Sequence, residues 1–285
     1  LYPQMDRLLG HTRLKTLVVG TLGEMSAHPG PVQQQMQAGK LLSEVAWDER
    51  HRPFASLLDN DGQYQRHPIA DPKEALAVLQ YTGGTTGQPK GAMLTHGNLS
   101  AANAQYLLTT GPAGSNLRMG EEVLLAVLPP FHIYALSVNM LLGVALGATQ
   151  VLHTRFEPEA ILKDLAAKKA SVFPGVPTMY TALNHFPGVE QYDLRSLKFC
   201  GSGGAPLPVE VQQRFMQLTG CLLAEGWGMT ETSPSGTFTP TQLPARPGSC
   251  GLPMPGIDFR FARLDGQPGY VAQGERGEMC VKGPN

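Results

Sequence analysis

Eleven consecutive residues, Tyr81-Thr82-Gly83-Gly84-Thr85-Thr86-Gly87-Gln88-Pro89-Lys90-Gly91, hold three threonines, four glycines and one lysine. Glycine reaches positive φ at no steric cost and lets backbone N–H groups converge on one point, so such a stretch can form an anion-binding nest. Thr82, Thr85 and Thr86 add hydroxyl donors and Lys90 adds a positive charge. A polyphosphate is the ligand this chemistry suits best. A Walker-type loop places Gly directly before Lys, and here Pro89 stands in that position. An ordinary loop would leave this density of donors unexplained.

A second segment, Glu225-Gly226-Trp227-Gly228-Met229-Thr230-Glu231-Thr232, follows an apolar, strand-like run. Ligands of open α/β sheets bind beyond the carboxyl ends of strands. There Trp227 can present a flat face, Thr230 a hydroxyl and Glu231 a hard oxygen ligand for Mg²⁺. Taken alone, the segment reads equally as a solvated loop. Gly201-Ser202-Gly203-Gly204-Ala205-Pro206 would let a flat ring or a thin chain approach the backbone, and a tight strand-to-helix turn explains it as well. His132 closes the apolar run Leu128-Pro129-Pro130-Phe131-His132, where a satisfied core residue is the commoner outcome. No nucleophile elbow, zinc cluster or carboxylate pair is present, and the other seven histidines carry no assigned role.

The elements that must position these residues follow from the apolar pattern. Strand-like runs at Leu14–Gly20, Ala75–Tyr81, Val123–Leu128, Gln150–Leu152, Ser171–Phe173, Leu197–Cys200 and Cys221–Glu225 alternate with helical stretches. Helices are predicted over 98–108 with Thr95 as cap, at Leu136–Leu146, at Pro158–Lys169 and at Pro208–Leu218 closed by Gly220, with a weaker signal at Val32–Leu42. The alternation predicts an α/β fold of layered, largely parallel sheets with flanking helices. After Pro240 the texture shifts to short antiparallel strands, part of a small β-barrel or meander. A boundary near residue 240 is therefore expected, with a core over 1–240 and a partial β subdomain over 241–285.

Composition narrows the classes further. Of 285 residues, 42% are apolar and 16% charged, too apolar for disorder. The 22 Lys and Arg against 23 Asp and Glu give a net charge of −1, which argues against a nucleic-acid partner. The 33 glycines and 24 prolines fall in short clusters between apolar runs and read as many tight turns. Cys200, Cys221, Cys250 and Cys280 form no CxxC pair; three lie in or beside apolar runs, so buried free thiols are expected. Pro129, Pro130, His132 and Asn139 break the most apolar stretch, Val123–Leu152, so no transmembrane helix is predicted. The absence of an initiator Met or signal peptide and an end within a strand-like pattern point to a fragment cut at both ends.

In their order and spacing, the Thr/Gly/Lys loop, the Pro-Phe-His segment, Gly175-Val176-Pro177-Thr178, the Gly201–Pro206 turn and Gly226–Glu231 resemble the adenylate-forming (AMP-binding) superfamily. That superfamily comprises acyl-CoA synthetases, luciferases and peptide-synthetase adenylation domains. Leu79–Leu94, Leu128–Leu136 and Gly277–Pro284 are most similar to bacterial long-chain fatty-acid:CoA ligases. The resemblance implies a two-step reaction. A fatty carboxylate attacks the α-phosphate of ATP to give acyl-adenylate and pyrophosphate, and the CoA thiol then displaces AMP.

By family position, Thr82, Gly83, Gly84, Thr85, Thr86, Gly87 and Lys90 would hold the β,γ-phosphates. Gly203, Gly204, Ala205, Glu225, Gly226, Trp227 and Gly228 would line the nucleotide and acyl junction, and Thr230 would touch the α-phosphate. Glu231 would bind Mg²⁺. His132 would sit near the reacting carboxylate, and Gly175, Val176 and Gly201 near the acyl tunnel. Leu136 stands where some fatty-acyl members carry an aromatic gate, so chain length is not legible there, and Met229 stands where Leu or Gln is frequent. The family's Thr-Gly-Asp segment and its C-terminal domain with a catalytic Lys lie outside these residues. Little adenylation and no thioester formation are therefore expected of this chain alone, together with exposed apolar surface and aggregation.

Alternatives are a medium-chain or aryl acid:CoA ligase, an acyl-AMP ligase, or, in another class, a non-catalytic nucleotide- or lipid-binding module. An amino-acid substrate is disfavoured, because no acid stands near His132 to hold an ammonium group. The expected location is cytoplasmic. Peripheral contact with the inner membrane rests on the resemblance alone, and oligomeric state is not legible.

Overall fold

Four apolar runs alternate their side chains between two cores, which is why they read as continuous rather than striped. In the computed structural model, Leu125, Phe173, Cys200 and Leu223 enter one core, while their neighbours Leu124, Val172, Phe199 and Ala224 enter the other. Strands covered on both faces need apolar residues at every position. The structure describes residues 1–26, 28–83, 87–110, 117–244 and 246–285. It divides into two compact units, Leu1–Pro68 and Ile69–Asn285.

The first unit contains helices α1 (Tyr2–Leu8), α2 (Pro29–Ala38) and α3 (Ala55–Leu58), and a parallel pair of strands, β1 (Leu17–Val19) and β2 (His51–Pro53). The expected strand at Leu14–Gly20 is shorter than predicted and is not buried, since Val18 faces solvent. His51 is buried between two carboxylates, with Asp48 Oδ1 2.8 Å from Nδ1 and Asp6 Oδ1 2.9 Å from Nε2.

In the second unit, β3 (Leu76–Thr82) and β4 (Lys90–Thr95) form an antiparallel hairpin around the Thr/Gly loop, with Thr82 opposite Lys90. Helix α4 (His96–Thr110) follows directly. Its predicted cap is present: Asn98 N–H donates to Thr95 Oγ1 at 3.1 Å, and Thr95 N–H donates to Asn98 Oδ1 at 2.9 Å. This reciprocal pairing satisfies two N–H groups at the helix start.

Among the described residues the main sheet has seven strands. Five are parallel, in the order β9 (Leu223–Trp227), β8 (Phe199–Ser202), β7 (Val172–Gly175), β5 (Val123–Ala126), β6 (Thr149–Leu152). Strands β10 (Thr237–Phe238) and β11 (Leu252–Pro253) extend it antiparallel beyond β9. One face is covered by α6 (Pro158–Ala167), α7 (Pro177–Asn184) and α8 (Val209–Thr219). There Tyr180 meets Phe173 and Phe215 edge-on at 5.5 and 4.9 Å. The other face packs α4 and a π-helical turn, Ala135–Leu141, that runs into α5 (Leu142–Ala145). Gly220 ends α8 at φ 69, the left-handed cap for which glycine is best suited.

The largely parallel α/β architecture expected from the alternation is the one observed. The change of texture near 240 falls within the second unit, where β11 joins the main sheet and β12 (Asp258–Ala262) pairs antiparallel with β13 (Glu278–Lys282). Cys200 and Cys221 are buried as expected, whereas Cys280 is exposed because β13 belongs to a two-stranded sheet with an open face. Among the described residues, no helix is long and apolar enough to cross a membrane.

Candidate active site

Parallel strands end on the same edge, so whatever follows β5, β8 and β9 is gathered there. A cavity of about 640 Å³ opens at this edge. Strand β9 and the turn after it bring Gly226, Trp227, Gly228, Thr230 and Glu231 to its wall; the end of β8 brings Gly203 and Gly204; the segment after β5 brings His132. Hairpin β3–β4 contributes Thr82, Gly83 and Lys90. Four segments far apart in sequence thus meet around one space.

Local backbone chemistry explains why small residues stand here. A Cβ on Gly203 would come within 3.3 Å of the Tyr134 ring, and one on Gly226 within 2.8 Å of Phe238 and of the Thr237 carbonyl. Gly236 lies under the Trp227 indole, where a Cβ would be 2.5 Å from the ring. The indole is held from another side by Phe259, edge-on at 5.8 Å. The turn Thr230–Thr232 is closed by Met229 N–H donating to Thr232 Oγ1 at 3.0 Å and by Thr232 N–H donating to Met229 O at 3.0 Å.

His132 is exposed at the cavity rather than satisfied in the core. Tyr134 N–H donates to its Nδ1 at 3.2 Å, so Nδ1 is an acceptor and the neutral ring carries its proton on Nε2. Lys90 and Glu231 are both exposed at the cavity, with no ion pair to any described residue. A carboxylate held open in this way fits a hard cation that takes most of its ligands from phosphate and water. Among the described residues no group of three or more His, Cys, Asp or Glu could hold a metal by protein ligands alone.

The other expected residues lie elsewhere. Ala205 and Glu225 line an adjoining pocket of about 280 Å³, together with Gly204, Gly226, Trp227 and Gly228. There Glu225 Oε1 accepts the Leu207 N–H at 3.1 Å. Gly175, Val176 and Gly201 line neither space. Gly175 is buried against Tyr180, and the Gly201 carbonyl lies 3.0 Å from both the Tyr134 and the Tyr180 hydroxyls. Gly87, at φ 84, is exposed and off the wall. Gly84, Thr85 and Thr86 lie outside the described residues.

Tyr134, Tyr106 and Phe238 also line the cavity and were not singled out from sequence, as does Met229, noted there only as a departure from the commoner Leu or Gln. Tyr134 stands two residues after His132 and could have been found from that spacing. Tyr106, on one face of α4, and Phe238, on β10, carry no local signal. Burial pushes the Tyr106 phenol up to about 12, against a smaller opposing effect of a hydrogen bond with Ser235, and burial raises Tyr134 further still. Both are neutral donors near neutral pH.

A profile of the AMP-binding enzyme family matches residues 3–285. The chain belongs to that family. Among its relatives are a long-chain-fatty-acid–CoA ligase of Bacillus subtilis, 42% identical over 76% of this chain, and a feruloyl-CoA synthase of an Amycolatopsis species, 38% identical over 74%. These matches cover 38% and 41% of the two relatives, so the chain spans about two-fifths of the curated relatives it matches. Among solved structures, O-succinylbenzoate CoA synthetase from Bacillus subtilis, in complex with ATP and magnesium ion, superposes with a TM-score of 0.67 and 28% identity, over 82% of this chain and 47% of that one. Family membership agrees with the resemblance that the motifs carry.

Proposed function

We propose that the chain forms the nucleotide- and acyl-binding core of an ATP-dependent ligase that activates long-chain fatty acids as acyl-adenylates and passes them to CoA. The observation that carries this reading is the meeting of Lys90, Thr230, Glu231 and His132 around one cavity at the carboxyl edge of a parallel sheet. Similarity to long-chain-fatty-acid–CoA ligases supports the acid class.

In the first step a carboxylate oxygen bonds to the α-phosphorus of ATP, and the bond to the β-phosphate oxygen breaks as pyrophosphate leaves. Such transfers depend mainly on positioning and charge stabilisation. Lys90, with the hydroxyl of Thr82, steadies the departing phosphates. Thr230 donates to the α-phosphate, and Trp227 offers a flat wall beside the nucleotide. His132, with Nδ1 already occupied, turns an Nε2 donor toward the acid. A Mg²⁺ ion held by Glu231 and the phosphates would neutralise charge that builds on the phosphate oxygens. In the second step the CoA sulfur bonds to the acyl carbon, and AMP leaves with the electron pair of the broken C–O bond.

The feruloyl-CoA synthase relative favours one second reading, an aryl acid in place of a fatty acid. A thermal-shift titration of the chain with non-hydrolysable palmitoyl-, hexanoyl-, benzoyl- and aminoacyl-adenylate analogues separates the two. A ligand at 100 times its Kd adds about 2.7 kcal/mol to the folded state. Selective stabilisation by the palmitoyl analogue supports the long-chain reading, and preference for the benzoyl form replaces it with the aryl one. Silence with all four shows that this chain by itself has no working site, and the same titration then passes to the protein that carries it.

A further inference from the structure

The turn that carries Thr230 and Glu231 is tied down by a residue distant in sequence. The side-chain amide of Asn285 donates through Nδ2 to the carbonyls of Thr232 and of Ser235, the latter at 2.6 Å. Two carbonyl acceptors require the NH₂ end of the amide on that side, which leaves Oδ1 facing away. Oδ1 is met by a donor: Gln105 Nε2 reaches it at 3.3 Å and is itself fixed on the Pro255 carbonyl at 2.8 Å. The backbone beside Asn285 is anchored separately, with Asn98 Nδ2 donating to the Pro284 carbonyl at 3.0 Å. Space for the amide comes from Gly283, where a Cβ would stand 2.7 Å from Asn285 Oδ1. From the other side, Ser137 Oγ donates to the Ser233 carbonyl at 2.8 Å. Three carbonyls just after Glu231, those of Thr232, Ser233 and Ser235, are thus held by two side chains remote in sequence.

We propose that Asn285 is a positioning residue for Thr230 and Glu231, and that its amide sets where this turn presents the Glu231 carboxylate to a nucleotide-bound Mg²⁺. The proposal rests on the ligase reading above. The hydrogen bonds of the amide go to Thr232, Ser235 and Gln105, so its effect travels through the carbonyls of Thr232 and Ser235. A loop carrying a metal-binding carboxylate gains affinity when it is already ordered before the ligand arrives.

Two measurements on the chain test this. Amide hydrogen exchange reports the turn itself, and calorimetric binding of ATP with Mg²⁺, or with EDTA in its place, reports the site. With Asn285→Ala, exchange at Thr232 and Ser233 should quicken about tenfold, and Mg²⁺·ATP affinity should fall about tenfold, as expected for lost hydrogen bonds of ordinary strength. Binding of metal-free ATP should stay within about twofold, well inside the tenfold that one such bond is worth. Asn285→Asp is isosteric but turns a carboxylate toward two carbonyls, so its loss should exceed that of the alanine variant. Gly283→Ala keeps the amide but displaces it, and should reproduce the alanine phenotype.

Unchanged exchange at the turn, or equal losses with and without Mg²⁺, overturns the positioning role while leaving the ligase reading intact. A wild-type chain that binds no Mg²⁺·ATP overturns both. The exchange data then show separately whether Asn285 holds the turn.

Discussion

A Cβ placed on Gly228 would lie 1.5 Å from the carbonyl oxygen of Pro234. These two residues bring the strand that ends at Trp227 and the return strand that begins at Thr237 within van der Waals contact, and the turn bearing Thr230 and Glu231 is strung between them. The contact is backbone to backbone, so no side-chain rotation relieves it. Gly228→Ala must move the chain itself and should cost more than about 3 kcal/mol, the upper range for single substitutions. Gly30 has nothing within 4 Å of its added Cβ and lies in the first turn of α2. Gly30→Ala should be neutral or stabilising by about 0.5 kcal/mol. Urea denaturation of both variants checks the contrast.

Lys90 and Glu231 face the cavity without ion-pair partners among the described residues, so neither is needed for the fold. Lys90→Ala and Glu231→Gln should leave the melting temperature within a degree or two, on the scale of surface substitutions of about 0.5 kcal/mol. On the ligase reading, each should reduce ATP–pyrophosphate exchange by roughly 100-fold in the protein that carries this chain, the usual effect of losing one preorganised charge. A large fall in stability with little change in exchange would give them a structural role instead.

The Gly201 carbonyl has two candidate donors, Tyr134 and Tyr180, each at 3.0 Å, and the Tyr180 hydroxyl oxygen, with one proton to give, is also 2.8 Å from the Phe173 carbonyl. With two hydroxyl protons for three contacts, one tyrosine can cover for the other at the Gly201 carbonyl. Tyr134→Phe should cost about 1 kcal/mol or less, and the double Tyr134→Phe/Tyr180→Phe variant should cost more than the sum of the singles by about 1 kcal/mol. Additive values in a double-mutant cycle would show that the two hydroxyls act independently.

Glu122 is fully buried and accepts from Arg118 N–H at 2.7 Å and from Lys198 Nζ at 2.9 Å. Burial pushes its carboxyl up, but hydrogen bonds from Ser171, Lys198 and the Arg118 backbone outweigh that effect and hold it below the ordinary 4.5. A carboxyl with a lowered folded pKa contributes stability that is complete above the unfolded value and is lost as pH falls through the folded one. Acid unfolding followed by circular dichroism should therefore lose a component below pH 4.5 that Glu122→Gln lacks. Lys198→Met, which strands the buried carboxylate, should cost about 2 kcal/mol at neutral pH.

Cys200 and Cys221 are buried with sulfurs 3.8 Å apart, whereas Cys250 and Cys280 are exposed. Burial, reinforced by the neighbouring Cys221 thiol, raises the Cys200 pKa well above its ordinary value, which removes the thiolate that reacts. A thiol-specific reagent should label two cysteines quickly under native conditions and the other two only on unfolding. Fast labelling of all four would show that the second unit opens readily.

Much of the architecture was legible because its signals are local. Strand β5, helix α6 and helix α8 were each predicted to within about two residues, from runs whose apolar residues are needed on both faces of a strand or along one face of a helix. Pairing partners were not legible. Residues 75–81 read as a strand-like run leading into a loop over 82–91, with 92–94 continuing the chain, and only hydrogen bonding makes 76–82 and 90–95 a hairpin with Thr82 opposite Lys90. The first unit was read least well: α1, β2 and α3 are short, and isolated short elements carry little periodicity.

By itself, the sequence determined the glycine-, threonine- and acid-bearing segments and the strand–helix alternation that sets them on one edge of a sheet. These depend on residue type and spacing within a few positions. Tertiary structure alone decided that His132 faces the cavity and not the core, that Gly175 and Gly201 back onto tyrosine hydroxyls, and that Asn285 and Gln105 hold the turn under Glu231. Most of those relationships join residues 21 to 180 positions apart. They come from the packing of side chains across strands and helices, and no pattern within a short window encodes which distant group will fill a given space.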